Sequence, residues 1–234
     1  MKKIFLAVLA LGVLASCSCR GLNASWHKSE AHGEQTRKIT GFERIALQGS
    51  LDVKYKQADS FMVKVSAPVE VINDVETLVE GNVLKIRMKD EGKFLRFRLS
   101  DSDDVTVYVS STDFLGVTLQ GSGDFLCQGL LDTDNLDIEV QGSGDIEFDK
   151  IICDKVDVSV LGSGDVELKR VKAQQSKNEV VGSGEIKIHY DNSGDVRSII
   201  VGSGDITLTG QVKSSSYDVR GSGDMKTGEL TIKQ

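Results

Sequence analysis

A four-residue phrase, Gly-Ser-Gly followed by an acid, recurs six times in the second half of this 234-residue chain. The copies begin at Gly121, Gly142, Gly162, Gly182, Gly202 and Gly221, with steps of 21, 20, 20, 20 and 19 residues. A constant short period is the mark of a structure built by stacking one unit on the next. Four residues after the first glycine stand Phe125, Ile146, Val166, Ile186, Ile206 and Met225. Two further on stand Cys127, Phe148, Leu168, Ile188, Leu208 and Thr227, with mostly polar residues between. Upstream, Leu119, Val140, Val160, Val180, Ile200 and Val219 lie two residues before each phrase, again next to mostly polar neighbours. Alternation of this kind is the pattern of half-buried strands.

Each unit therefore has a strand entering the phrase, a tight corner at the glycines and a strand leaving it. About 20 residues leave no room for an intervening helix. The expected fold is all-β: a right-handed parallel β-helix, or solenoid, with rungs of about 20 residues. The glycines suit corners that need a positive φ. A meander closing into a sandwich or propeller is the competing topology. Columns that hold at every rung, and units too short for a propeller blade, favour the solenoid. Ser176 and Asn178 occupy inward columns, and Asn192-Ser193-Gly194-Asp195 adds a turn signal, so irregularity is expected in the fourth rung.

The start of the chain is of another kind. Lys2 and Lys3 precede an apolar run, Ile4 to Val13, that is too short to span a bilayer and suits a signal peptide. Leu14-Ala15-Ser16-Cys17 resembles a bacterial lipobox, which implies cleavage after residue 16 and lipidation of Cys17. Thioether-linked lipid plus an N-acyl chain would supply more than the two hydrophobic signals that stable anchoring needs. Residues 1–16 are thus read as a lipoprotein signal peptide and residues 17–38 as a flexible polar tether. Residues 39–109 form a β-rich N-terminal half that caps the solenoid, and residues 110–234 form the repeat solenoid.

Net charge is −7, and loss of Lys2 and Lys3 with the signal peptide leaves −9. An acidic chain argues against nucleic acid as a partner. Cys19, Cys127 and Cys153 show no metal spacing, and Cys127 shares an inward column with Phe148 and Leu168.

The N-terminal half carries Phe42-x-x-Ile45, Gly49-Ser50-x-Asp52-Val53, Gln57, Val63-x-Val65 and Glu80-Gly81-Asn82-x-Leu84-x-Ile86 ahead of the Gly-Ser-Gly-Asp run. In that order these features resemble the head GIN domain family of bacterial cell-envelope proteins, labelled auto-transporter adhesins. The resemblance covers roughly residues 38–230. It implies a parallel β-solenoid on a secreted or lipid-anchored protein, and brings no catalytic residues with it.

The acid column, Asp124, Asp145, Asp165, Glu185, Asp205 and Asp224, is the most tempting site. Stacked carboxylates repel one another, and calcium is one way to relieve that. Calcium-binding β-rolls, however, repeat every nine residues. The other way is a solvated corner, in which each carboxylate accepts hydrogen bonds from turn N–H groups or the neighbouring serine.

The serine column (Ser122, Ser143, Ser163, Ser183, Ser203, Ser222) has no base beside it. His27 and His32 lie in the tether, His189 in the irregular rung, and there is no Gly-x-Ser-x-Gly elbow. Polysaccharide-cleaving β-helices build grooves from long inserted loops, and the near-constant rung length leaves no space for them. Few aromatics, Tyr190 and the inward-column Tyr217 among them, are available as sugar platforms in the repeats.

The expectation is a lipid-anchored envelope protein on the outer membrane, periplasmic or cell-surface face. It binds or adheres without catalysis, cofactor or metal, and a glycan or a protein is its ligand. A structural or regulatory envelope protein with no ligand of its own is the alternative.

Overall fold

The computed structural model describes residues 32–89, 92 and 105–233. The expected signal segment, Cys17, Cys19, Trp26, His27 and the stretch 94–99, expected to alternate, lie outside the described residues. The repeat zone begins with β8 (Gly116–Gly121), β9 (Phe125–Asp132) and β10 (Asn135–Gly142). It continues as four long, cornered strands: β11 (Ile146–Gly162), β12 (Asp165–Gly182), β13 (Glu185–Gly202) and β14 (Asp205–Gly221). It ends with β15 (Met225–Ile232). Each long strand is nearly a complete rung, and successive rungs pair in parallel. Ile146 pairs with Val166, Phe148 with Leu168, Val160 with Val180 and Gly162 with Gly182. The chain is therefore an all-β solenoid with rungs of about 20 residues.

Seven inward positions per rung build the core. In β11 they are Ile146, Phe148, Ile151, Cys153, Val156, Val158 and Val160, all buried. Between them the phrase closes the corner, and its glycines answer two demands. Gly162 has φ +139°, and a Cβ there would lie 2.3 Å from the Gly142 carbonyl oxygen. Gly164 would meet the Gly144 carbonyl at 2.2 Å. Positive φ explains the first glycine, while the close approach of rung to rung explains both. That approach is used: the Gly162 carbonyl accepts the Ser183 N–H at 2.8 Å and the Gly184 N–H at 3.1 Å.

The N-terminal half is more than a cap. β2 (Arg44–Gly49) and β3 (Asp52–Gln57) make a rung of their own, stacked in register on β8 and β9: Gly49 pairs with Gly121 and Val53 with Phe125. On their far side lie β6 (Val83–Met88) and β7 (Thr106–Ser111), also parallel. Antiparallel strands then close that end. β5 (Val75–Glu80) covers β6, β4 (Met62–Pro68) covers β7, and β1 (His32–Arg37) covers β4.

β1 corrects the expected tether, because residues 32–37 form an edge strand. Every residue of His32–Arg37 is polar or glycine, so no apolar alternation marks it. Its register is fixed by backbone pairing from His32–Pro68 to Arg37–Val63, and Lys64 Nζ meets Glu34 Oε1 at 2.9 Å.

The core changes character along the axis. Near β3 and β9 it is aromatic: Tyr55 stacks on Phe114 at 4.2 Å, and Phe125 lies 5.6 Å from Phe148 between ring centroids. Two rungs later it is polar at its centre. Tyr190 reaches across to Ser176 Oγ at 2.7 Å and Asn178 Nδ2 at 3.0 Å, and Asn178 Nδ2 also donates to Ser198 Oγ at 3.3 Å. All four residues are buried, and their mutual bonds offset what unpaired polar groups would cost there.

The expected irregularity is present at the Asn192-Ser193-Gly194-Asp195 turn signal and absent at Ser176 and Asn178. Ser176 and Asn178 keep unbroken register from Val156–Ser176 to Gly162–Gly182. The shifts fall between Leu168 and Val171, between Val171 and Gln175, and between Tyr190 and Ser193, where Asn192 takes φ 55°.

Candidate functional site

The acid column is a ladder of brackets. Asp52 Oδ1 accepts the Asp124 N–H at 3.0 Å, Asp124 that of Asp145 at 3.3 Å, and Asp145 that of Asp165 at 3.0 Å. Asp165 accepts from Glu185 at 2.9 Å and Asp205 from Asp224 at 2.9 Å. Each carboxylate thus holds the backbone of the next rung, and Asp52 extends the column one rung further back than the perfect phrase does.

Glu185 is the exception. Its longer side chain turns to Lys187 Nζ at 2.6 Å, and the Asp205 N–H goes instead to the Gly184 carbonyl at 3.1 Å. Repulsion along the column is relieved by these N–H donors and by lysines. Lys226 beside Asp205, with the Asp224 N–H behind it, holds the Asp205 carboxyl below its usual range. Among the described residues, no three or more His, Cys, Asp or Glu side chains converge as a metal cage.

The same faces offer no activated nucleophile. Every serine of the phrase is exposed. His189 Nδ1 lies 2.9 Å from Thr209 Oγ1 and is bonded to none of those serines. Burial pushes the thiols of Cys127 and Cys153 up to about 12, so neither is a thiolate at neutral pH.

A second corner, on the other side of each rung, is open and polar. Residues 132–134, 152–154, 172–175 and 192–195 of four successive rungs, with Lys213 of the next, line a groove of about 570 Å³. Local backbone chemistry shapes it. Where the β12–β13 ladder is interrupted, Ser193 turns inward, its Oγ accepting the Ala173 N–H at 3.1 Å and donating to the Val171 carbonyl at 3.0 Å. Gly194 follows because a Cβ there would fall 2.0 Å from the Gln174 carbonyl. Together they set Asn192 and Asp195 at the groove's edge. Asp132, Asp134 and Asp154 bring further carboxylates, Gln174 and Gln175 bring amides, and Lys172 and Lys213 bring cations. The Ser214 hydroxyl, and then Lys213, hold Asp195 ionised to lower pH than usual. Sequence reading missed this groove; the Asn192-Ser193-Gly194-Asp195 turn signal was its one visible trace.

The aromatics are placed differently from expectation. Tyr55 and Tyr190 are core residues. Tyr108 lies under two cations, Lys64 Nζ at 5.0 Å and Lys54 Nζ at 6.0 Å from its ring. Tyr217 does continue the inward column of Val158, Asn178 and Ser198, but it is 60% exposed, because no strand among the described residues covers its stretch of β14.

The fold has solved counterparts. A structure titled a putative adhesin from Bacteroides fragilis superposes with a TM-score of 0.66 at 20% identity, covering 85% of this chain and 97% of its own. A putative adhesin from Parabacteroides merdae gives 0.55 at 17% identity, over 85% and 96%. One from Parabacteroides distasonis, titled a putative lipid binding protein, gives 0.56 at 20% identity, over 85% and 97%. At these identities the likeness is one of fold. No curated protein matches the chain. The family model described as "Putative auto-transporter adhesin, head GIN domain" matches residues 41–169 and 161–234. With nearly the whole described structure matched, this chain belongs to the head GIN domain family.

Proposed function

We propose that the chain is a lipid-anchored protein of the bacterial cell envelope that acts as an adhesin, a binding module without catalysis. Cys17 is the anchoring residue in this reading, and the ligand is a hydroxyl-rich glycan held along the groove between Asp132 and Lys213. The groove is the observation that carries it. Carboxylates, amides and ammonium groups recur along it from rung to rung, so a linear chain of hydroxyls finds both acceptors and donors along its length. The family description and the names of the solved neighbours from Bacteroides fragilis and Parabacteroides merdae agree with adhesion. The exposed serines without a base beside them support binding over hydrolysis.

The test is glycan-array binding by the chain from Ser18 onward, which contains every described strand. Binding should fall at least tenfold in Asp134→Lys with Asp154→Lys, while the unfolding midpoint stays unchanged. No binding to any glycan would favour the structural-spacer alternative, and binding indifferent to the double variant would move the ligand elsewhere. Mass spectrometry of the native protein tests the anchor: a lipid-modified Cys17 as first residue is expected, and an unmodified residue there contradicts it.

A further inference from the structure

The lysines of the repeats are almost all matched by carboxylates. Lys155 meets Asp157 at 2.5 Å, Lys177 meets Glu179 at 2.9 Å, Lys187 meets Glu185 at 2.6 Å and Lys226 meets Asp205 at 2.7 Å. Lys169 lies between Glu147 and Asp149, and Lys213 lies 3.5 Å from Asp195. Lys172 breaks the series: it makes no ion pair or hydrogen bond through its ammonium group, and the same holds for Lys150 and Arg170. Carboxylates are not in short supply, since the chain has 35 acids to 28 bases. Arg197, the other unpaired cation of the repeats, stands apart from these three, on the strand that enters the phrase.

The three share one side of the rungs. Ile151 and Val171 are buried and pair across neighbouring rungs. Lys150 and Arg170 each precede one of them, and Lys172 follows Val171, so alternation turns all three outward. Arg170 and Lys172 are exposed and Lys150 is half-buried. At the offset that pairs Ile151 with Val171, Lys150 and Arg170 sit one above the other, their backbones about 4.8 Å apart. Like charges so placed repel. The exposed Asp191 on the next rung makes no ion pair with any of them. Lys172 also belongs to the groove wall, so the cluster reaches from the groove's edge onto the adjoining face.

We propose that Lys150, Arg170 and Lys172 bind an acid group, a carboxylate or a sulfate, carried by the glycan in the groove. This rests on the groove being a glycan site, and it defines the kind of glycan: neutral sugars with an occasional acid group. Arg170 offers a planar fork that meets two oxygens of either group, and the two lysines add point charges beside it. The incoming charge also relieves the repulsion between Lys150 and Arg170. Asp132, Asp134 and Asp154 further along the groove set the limit. They accept hydroxyls, and a chain charged on every sugar would bring carboxylate against carboxylate there.

A glycan array that places each neutral chain beside its sialylated and its sulfated form tests this, with the chain from Ser18 onward. Binding about tenfold stronger to an acid form than to its neutral parent is expected. The sialylated arm reads carboxylate and the sulfated arm reads sulfate. The preference should shrink as salt rises, because these groups are open to solvent. Lys150→Gln with Arg170→Gln should abolish the preference, while binding to the neutral parent and the unfolding midpoint are kept. Equal binding of acid and neutral forms overturns the proposal and leaves the groove a glycan site. A preference that survives the double variant also overturns it. Binding to none of the three forms overturns both the cluster's role and the groove's.

Discussion

The rung around Phe148 and the rung around Tyr190 share their corners and differ in their interiors. Around Phe148 the core is apolar and partly aromatic. Around Tyr190 the same columns carry Ser176 and Asn178, both bonded to one phenol hydroxyl, and Ser198, which accepts from Asn178. Both rungs nevertheless keep register through the glycine corner, with Gly162 on Gly142 and Gly202 on Gly182. The backbone stack, made by glycine carbonyls and carboxylate brackets, sets the fold. The core may change its chemistry provided that neighbouring rungs change together. Tyr190 illustrates the coupling: a large side chain on one side of the rung is matched by short polar ones on the other, and Gly210 stacks on it in the next rung.

The corner is where the comparison breaks most easily. Gly164→Ala places a methyl 2.2 Å from a backbone carbonyl, so stability should fall by about 4 kcal/mol or more, read by urea unfolding. Phe148→Ala should cost about 3–5 kcal/mol through the cavity it leaves. Tyr190→Phe, which removes one oxygen and leaves Ser176 and Asn178 short of a partner, should cost about 1–3 kcal/mol. If Tyr190→Phe proved neutral, the polar rung would not depend on its network. The bracket itself is sharpened by a pair of variants. Asp165→Ala releases the Glu185 N–H and should cost about 1 kcal/mol. Glu185→Ala releases no backbone group and should change stability by less than about 0.5 kcal/mol.

Acid should act through the same groups. Asp205, Asp149 and Asp195 have carboxyls held below the ordinary value of 3.8, chiefly by Lys226, by the Gly129 N–H and by Ser214 respectively. A depressed folded value means that the unfolded chain takes up protons first. Their contribution is therefore complete above about pH 4 and is lost as pH falls further. A urea midpoint flat from pH 7 to 5 and falling below 4 is expected, with the fall reduced in Asp205→Asn.

Much of this was legible in the sequence because inward columns recur at a fixed period. The degenerate Gly49-Ser50-Leu51-Asp52 could be recognised as kin to the phrase, and the structure makes it a rung in register with Gly121. The spatial order could not be read. β6 and β7 lie outside β2 and β3 through pairs such as Arg44–Val83 and Asp52–Thr106, and partners so far apart leave no local pattern. β1 was hidden because an edge strand of polar residues has no apolar period. The groove was hidden because it depends on how corners from four rungs line up, and the exposure of Tyr217 because it depends on which strands pair beside it. In the polar rung, Ser176 and Asn178 were visible as exceptions, but their partner Tyr190 sits on another side of the solenoid.

The central claim is that the repeated phrase is a stacking corner whose acids hold backbone, and that it is not an ion cage. Urea unfolding in calcium and in chelator tests this most directly. The account predicts superimposable midpoints. A cation bound only by the folded state would raise the midpoint in calcium by an amount that grows with the logarithm of its concentration, and that rise would contradict the account.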